Sequence, residues 1–248
     1  MNATVRSADR TLAIFEAFAD MGRQLQLREI AELCSMPPST CHALVQTLLK
    51  RGYLYTIGQR KELYPSRRLL AVGTTINEND PFLSRIAPVL ESLRDECGET
   101  VTVGKRQGDQ VLYLYALDGQ RAVRYAAKAG DFRALHSTAL GKALLSCVEP
   151  QALRGWLKEQ RLNRVTDKTI TSASRLAQEI DEGRKRGFFV ARGEQAEDLT
   201  AVAVPVMRHG EALGVALAGP ASRIDRVIDR FGARLLRVKD ELELRLAA

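Results

Sequence analysis

Residues 27–52 read LREIAELCSMPPSTCHALVQTLLKRG, and they predict two short helices joined by a tight turn. Arg28–Cys34 is the first helix. Ser35-Met36-Pro37 cannot continue it, because proline lacks an N–H and disfavours helix at the residue before it. Pro38 suits the first turn of a new helix. In that second helix Cys41, Leu44, Val45 and Leu48 recur at three- and four-residue spacing and share an apolar face. Ser39, His42, Ala43, Gln46 and Lys50 fall on the opposite face. Hydroxyls, an imidazole, an amide and an ammonium on one helix face suit base edges and phosphates.

The next segment sharpens this reading. Gly52–Ile57 and Glu62–Tyr64 predict a β-hairpin around the basic tip Gly58-Gln59-Arg60-Lys61. Three helices followed by a basic hairpin make a winged helix-turn-helix, a DNA-reading module with its wing tip along the phosphate backbone. The candidate DNA contacts are Arg28, Ser39, Thr40, His42, Gln46, Lys50, Arg60 and Lys61. Helix capping is the alternative role for Ser39 and Thr40.

Bulk properties leave room for a partner domain. The chain has 248 residues, 45% of them hydrophobic, enough for two ordinary cores. No apolar run is long enough to span a bilayer, and MNATVRSADR has no signal-peptide core, so a cytoplasmic protein is expected. The net charge of +7 permits nucleic acid without demanding it. Cys34, Cys41, Cys97 and Cys147 show no C-x-x-C spacing and read as reduced, mostly buried thiols. Neither a metal site nor a cofactor is expected. No nucleophile–base pair or carboxylate pair is recognisable, so an enzyme is not expected.

Outward from the centre, Ser7 or Asp9 opens a first helix with Leu12, Ile14, Phe15, Phe18 and Ala19 as its stripe, closed at Met21-Gly22. After the wing, a helix over 67–77 should bury Leu69, Leu70 and Val72. Asn79-Asp80-Pro81 then breaks the chain. The expected organisation is a winged helix-turn-helix domain at 1–66, a linker helix at 67–79 and a second domain at 80–248. In the latter, helices are predicted at 82–97, in 135–145, at 172–186 and at 222–246. Extended segments are predicted at 100–104, 110–117, 121–128, 188–192, 199–206 and 213–218. Helices flanking an antiparallel sheet give an α+β domain.

Several separated motifs now carry a resemblance. VRSADRTLAIFEAF (5–18), PSTCHALVQTLLKRGYL (38–54), CGETVTVG (97–104), LHSTALGKALL (135–145), RKRGF (184–188), AVAVPV (201–206) and Gly219-Pro220 stand in the order found in IclR-family transcriptional regulators. The resemblance implies a winged helix-turn-helix, a linker helix and a GAF-like domain binding a small organic effector. It also implies a homodimer or dimer of dimers on a palindromic operator. A single recognition helix contacts too few base pairs to select an operator, and the first and linker helices are the expected joint.

Residue by residue, Ser39, Thr40 and His42 match the family's recognition helix, whereas Ala43 and Pro38 replace its usual basic residues. Ala139 and Leu140 match positions whose amides meet a ligand carboxylate, chemistry that a helix N-terminus favours. Ala191 stands at an acidic position, Ala201 at a cysteine or polar one, and Ala216 and Ala218 at two small hydroxyls. These alanines read either as a roomy, apolar effector wall or as tight strand packing. His136, just before that helix, reads as a structural residue or a ligand contact. LGKA at 140–143 is no P-loop. The expected effector is an aromatic or medium-sized carboxylic acid. The alternative is a metabolite-binding module or small-molecule enzyme whose N-terminal helices serve dimerisation.

Overall fold

The computed structural model describes residues 5–247 and divides the chain into two compact units, Met1–Asp80 and Pro81–Ala248. In the first unit α1 (Arg6–Met21), α2 (Leu27–Leu33) and α3 (Pro38–Lys50) precede the hairpin β1 (Leu54–Ile57) and β2 (Glu62–Pro65), then α4 (Arg68–Glu78). Gly22, at a φ of 61°, closes α1 through its N–H to the Phe18 carbonyl. A capping box opens α2, where the Gln26 side chain accepts from the Glu29 amide and the Gln26 amide donates to Glu29. Ile14, Phe18, Leu25, Ile30, Cys41, Val45, Leu48, Leu54 and Leu63 form the core of this unit. Thus α1 supplies the apolar surface that α2 and α3 alone would lack.

Two expectations change here. Val5 precedes α1 without a side-chain cap, so neither Ser7 nor Asp9 opens it. Leu69, Leu70 and Val72 are not buried: α4 has no buried residue, and Leu70 and Ile76 are 67% and 68% exposed. Apolar periodicity marks a face that seeks cover, and no described segment of this unit provides it.

The second unit opens with α5 (Pro81–Cys97), which contains Pro88. Its sheet comprises β3 (Thr100–Gln107), β4 (Gln110–Leu117), β5 (Phe132–Ala134), β6 (Phe189–Arg192), β7 (Leu199–Arg208) and β8 (Glu211–Pro220). The strand order is β5-β4-β3-β8-β7-β6, with every pairing antiparallel. Between strands run α6 (Ala139–Ser146), α7 (Pro150–Glu159) and α8 (Ala173–Arg186), and α9 (Ala221–Ile224) and α10 (Ile228–Ala247) close the chain. The period of two sorts the strands into unlike faces. Val202, Val204, Val215 and Leu217 pack with residues of α5 and α10, while Ala203 and Ala216 pack with residues of α6 to α8. One face is thick with branched side chains; the other is paved with alanine.

Three further segments depart from the sequence reading. Residues 121–128 join no strand; they form an irregular strap whose carbonyls at Tyr125 and Val123 accept from Thr100 Oγ1 at 2.6 Å and Arg223 at 2.8 Å. The final helix is interrupted after α9, where Asp225 turns its carboxylate to the Thr200 hydroxyl at 2.9 Å. The amphipathic α7 was not anticipated, although Glu149 caps it, Pro150 starts it, and Leu153 and Leu157 are buried.

Candidate functional site

Along α3 the sequence spacing becomes a continuous outer face. Ser39, His42, Gln46 and Lys50 are exposed and span roughly 16 Å of helix. Pro37 stands at the N-cap with no side-chain cap, so neither Ser39 nor Thr40 is used there; Thr40 is half-buried. Arg28 is exposed on α2 and pairs with Glu32 at 2.8 Å. At the wing tip Arg60 and Lys61 are exposed, and left-handed backbone at Gly58 and Lys61 makes the turn. Arg51 and Arg67, both exposed beside α3 and the wing, are further cations that residue-by-residue matching passed over.

In the second unit, α6 begins above the alanine-paved face. Thr138 caps it by accepting from the Gly141 amide at 3.0 Å, and the Thr138 carbonyl accepts from Lys142. The amides of Ala139 and Leu140 are left over at the helix start, where they favour an anion. Gly141 is required sterically: a Cβ there would lie 2.0 Å from the Leu135 carbonyl oxygen.

Beneath this helix start lies one cavity lined by Ala139, Leu140, Ala191, Ala201, Ala216 and Ala218. Six of the seven expected effector contacts therefore come together. The seventh, His136, is not among the lining residues; it is buried, with Nε2 at 2.9 Å from the Asn163 carbonyl. The alanines align by register: Ala201 pairs with Ala191 on one side and Ala218 on the other. The cavity also has polar walls, including Thr102, Tyr113, Tyr125, Ser137 and Gln195. Ser137 donates to Gln195 at 2.9 Å.

Where a roomy pocket was expected, the space is a narrow slot. About 380 Å³ lies between its atoms, but only about 20 Å³ admits the centre of a water molecule. The alanines give depth, and the side chains of Tyr113, Tyr125, Leu140 and Leu199 take up width. Burial, aided by Tyr125, raises the Tyr113 phenol well above its ordinary pKa, so it stays protonated at neutral pH.

Along α6 the buried Lys142 ammonium donates to Val190 O at 3.0 Å and Glu194 Oε1 at 2.6 Å, with Glu179 at 4.0 Å. Glu194 Oε2 is the single buried side-chain polar atom among the described residues without a hydrogen-bond partner. Burial holds the Glu194 carboxyl above its ordinary pKa, against the pull of Lys142. The thiols are less buried than expected: Cys41 is buried, Cys34 and Cys97 are half-buried and Cys147 is exposed. Desolvation pushes the Cys97 thiol up to about 11. Among the described residues no three His, Cys, Asp or Glu cluster as metal ligands, and no helix is long and apolar enough to cross a membrane.

This geometry can be set beside known proteins. The model of the bacterial transcriptional regulator IclR C-terminal domain matches residues 75–242, and that of the IclR helix-turn-helix domain matches 7–58. The regulator BhcR of Paracoccus denitrificans is 30% identical over 246 residues, covering 98% of this chain and 88% of its own. The chain belongs to the IclR family of transcriptional regulators. As such it is a DNA-binding regulator with a C-terminal effector-binding domain, and its relatives are regulators rather than enzymes. The Thermotoga maritima IclR structure superposes with a TM-score of 0.81 at 24% identity, over 98% of this chain and 99% of that one. An IclR homolog of Microbacterium hydrocarbonoxydans, solved in complex with 4-hydroxybenzoate, gives 0.79 at 20% identity, over 97% and 98%. At these identities the two structures speak to the fold, an α+β chain with a helix-turn-helix and an antiparallel sheet flanked by helices.

Proposed function

We propose that this IclR-family regulator senses a carboxylic acid of aromatic or medium size in the cavity beneath α6 and transmits its presence to a palindromic operator. The observation that carries this reading is the single cavity joining two unpartnered helix-start amides to Ala191, Ala201, Ala216 and Ala218. The amides take the carboxylate, and the alanine lane takes the apolar body, at about 25 cal/mol per Å² buried. That an IclR homolog has been solved in complex with 4-hydroxybenzoate supports an aromatic member of the class. The slot must widen to admit a ring, and residues 121–128 contribute Tyr125 to its wall.

Thermal unfolding against a panel of aromatic and aliphatic carboxylates tests the reading, because a ligand that binds only the folded state raises the melting temperature. A response confined to acids of two or three carbons sinks it.

On the DNA side, His42, Gln46 and the hydroxyls of Ser39 and Thr40 read bases, while Arg28, Lys50, Arg60 and Lys61 hold phosphates. Gln46→Ala should cost about 1–3 kcal/mol and relax base preference, whereas Arg60→Ala should weaken all sequences alike and reduce the salt slope by about 1. An unchanged ratio of operator to random-DNA affinity in Gln46→Ala would show that the recognition face is wrong.

The uncovered apolar face of α4 and Leu12 of α1, 63% exposed, favour a homodimer, or a dimer of dimers, joined there. The double substitution Leu70→Glu, Ile76→Glu should lower the mass seen by light scattering and weaken operator binding at least tenfold, since two half-sites are then bound independently (about 1.4 kcal/mol or more). An unaltered mass moves the interface elsewhere.

A further inference from the structure

We propose that Tyr113 and Tyr125, backed by Arg133, select among carboxylic acids for those bearing a second oxygen that can accept a hydrogen bond. The inference deepens the effector reading above and rests on it.

The floor of the cavity changes character across the sheet. From β6 through β7 to β8 it is Ala191, Ala201, Ala216 and Ala218; on β3 it becomes Thr102, and on β4 Tyr113. These strands span about 19 Å, so size and polarity are read at opposite ends. Tyr113 is only 5% exposed, yet it lines the cavity. Its backbone is fixed by the strap's far end, accepting from Gly130 at 2.8 Å and donating to Asp131 at 2.9 Å. Tyr125 comes from the strap itself, which Thr100 and Arg223 tie down; Arg223 is in turn held by the buried Glu99 at 2.7 and 2.8 Å.

The Arg133 guanidinium lies 5.7 Å from the centre of the Tyr113 ring and is steadied by Asp131 at 2.8 Å. Tyr125 also lines the cavity, so both phenols border the ligand space. A guanidinium only donates, so Arg133 takes up neither phenol proton. Even where one phenol donates to the other, one O–H remains for the cavity. A hydrocarbon end on the ligand strands that buried donor, whereas a carbonyl, ether or hydroxyl oxygen satisfies it. The alanine lane sets the effector's size; the phenols set its polarity.

Calorimetric titration of the full chain with matched acids decides the matter: 4-methoxybenzoate against 4-ethylbenzoate, the 3-substituted pair, and 4-oxopentanoate against 4-methylpentanoate. The wild type should bind the oxygen-bearing member about tenfold more tightly in each pair that binds, and Tyr113→Phe should cut that preference to about twofold or less. The hydrocarbon member should bind both proteins alike. If Tyr113→Phe fails to fold, Tyr125→Phe carries the same ratio test. A preference that survives the substitution, or that favours the hydrocarbon member, overturns the proposal. If only aliphatic acids bind, the aromatic reading fails while the oxopentanoate pair still decides this one. If no acid binds, both fall.

Discussion

Ala201→Phe is expected to abolish the thermal response to carboxylic acids while leaving operator affinity in the ligand-free state unchanged. Ala201 is half-buried on β7, between Ala191 and Ala218 in register, so its Cβ stands in the middle of the alanine lane. A benzyl group added there enters the slot rather than the packed Val face, because successive strand residues point to opposite faces. With only about 20 Å³ open to a water centre, the ring consumes the space a ligand body would use. The proposed DNA contacts belong to the other compact unit, which keeps its own core. Overpacking could also lower stability by about 1–3 kcal/mol, so the response is read as a ligand-induced shift within each protein. A wild-type shift in Ala201→Phe would place the effector elsewhere.

The helix-turn-helix, its wing and most strands were legible because each rests on local signals: Pro37-Pro38, Gly22, Gly58, and apolar spacing of three and four or of two. What those signals leave open is what covers an apolar stripe. The same periodicity that correctly buries Leu48 also suggested burial for Leu70, which is 67% exposed. A stripe facing its own domain and one facing a second copy are written alike. Residues 121–128 show the same limit. Their composition reads as extended, but a strand also needs a neighbour with free ladder groups, and here the carbonyls go to side chains.

The cavity was legible in part. Six of its lining residues came from family motifs, since alanines in a strand carry no signal of their own. Tyr113 and Tyr125 escaped because nothing local distinguishes a tyrosine in β4 or in a loop. They border one cavity because Thr100 and Arg223 tie down the strap that carries Tyr125, while residues 130–131 bond back to the Tyr113 backbone. The buried Lys142 was passed over for a related reason. Nothing within LGKA marks a buried cation, because the partner of Lys142, Glu194, lies 52 residues further on.

That pair supports the second large expected effect. Lys142→Met should destabilise the protein by about 3–5 kcal/mol near neutral pH, because it leaves Glu194 buried without its cation. The Lys142 side chain is 1% exposed and that of Glu194 7%, so water cannot replace the lost partner. The pH dependence has a definite sign. In the wild type, burial raises the Glu194 carboxyl above its ordinary value of 4.5 despite the opposing pull of Lys142. Removing Lys142 removes that pull and raises it further. A carboxyl whose folded pKa exceeds its unfolded one holds its proton preferentially in the folded state, so its stabilising contribution is fully present below 4.5 and lost as pH rises through the folded value. The deficit of Lys142→Met should therefore be smallest in acid and larger at neutral pH, as measured by urea unfolding at both. Adding Glu194→Met should recover most of the loss, because replacing both members of a buried ion pair with apolar groups is often neutral or better. A deficit equal at both pH values, or no recovery in the double variant, would mean that Lys142 acts through its packing along α6 rather than through its charge.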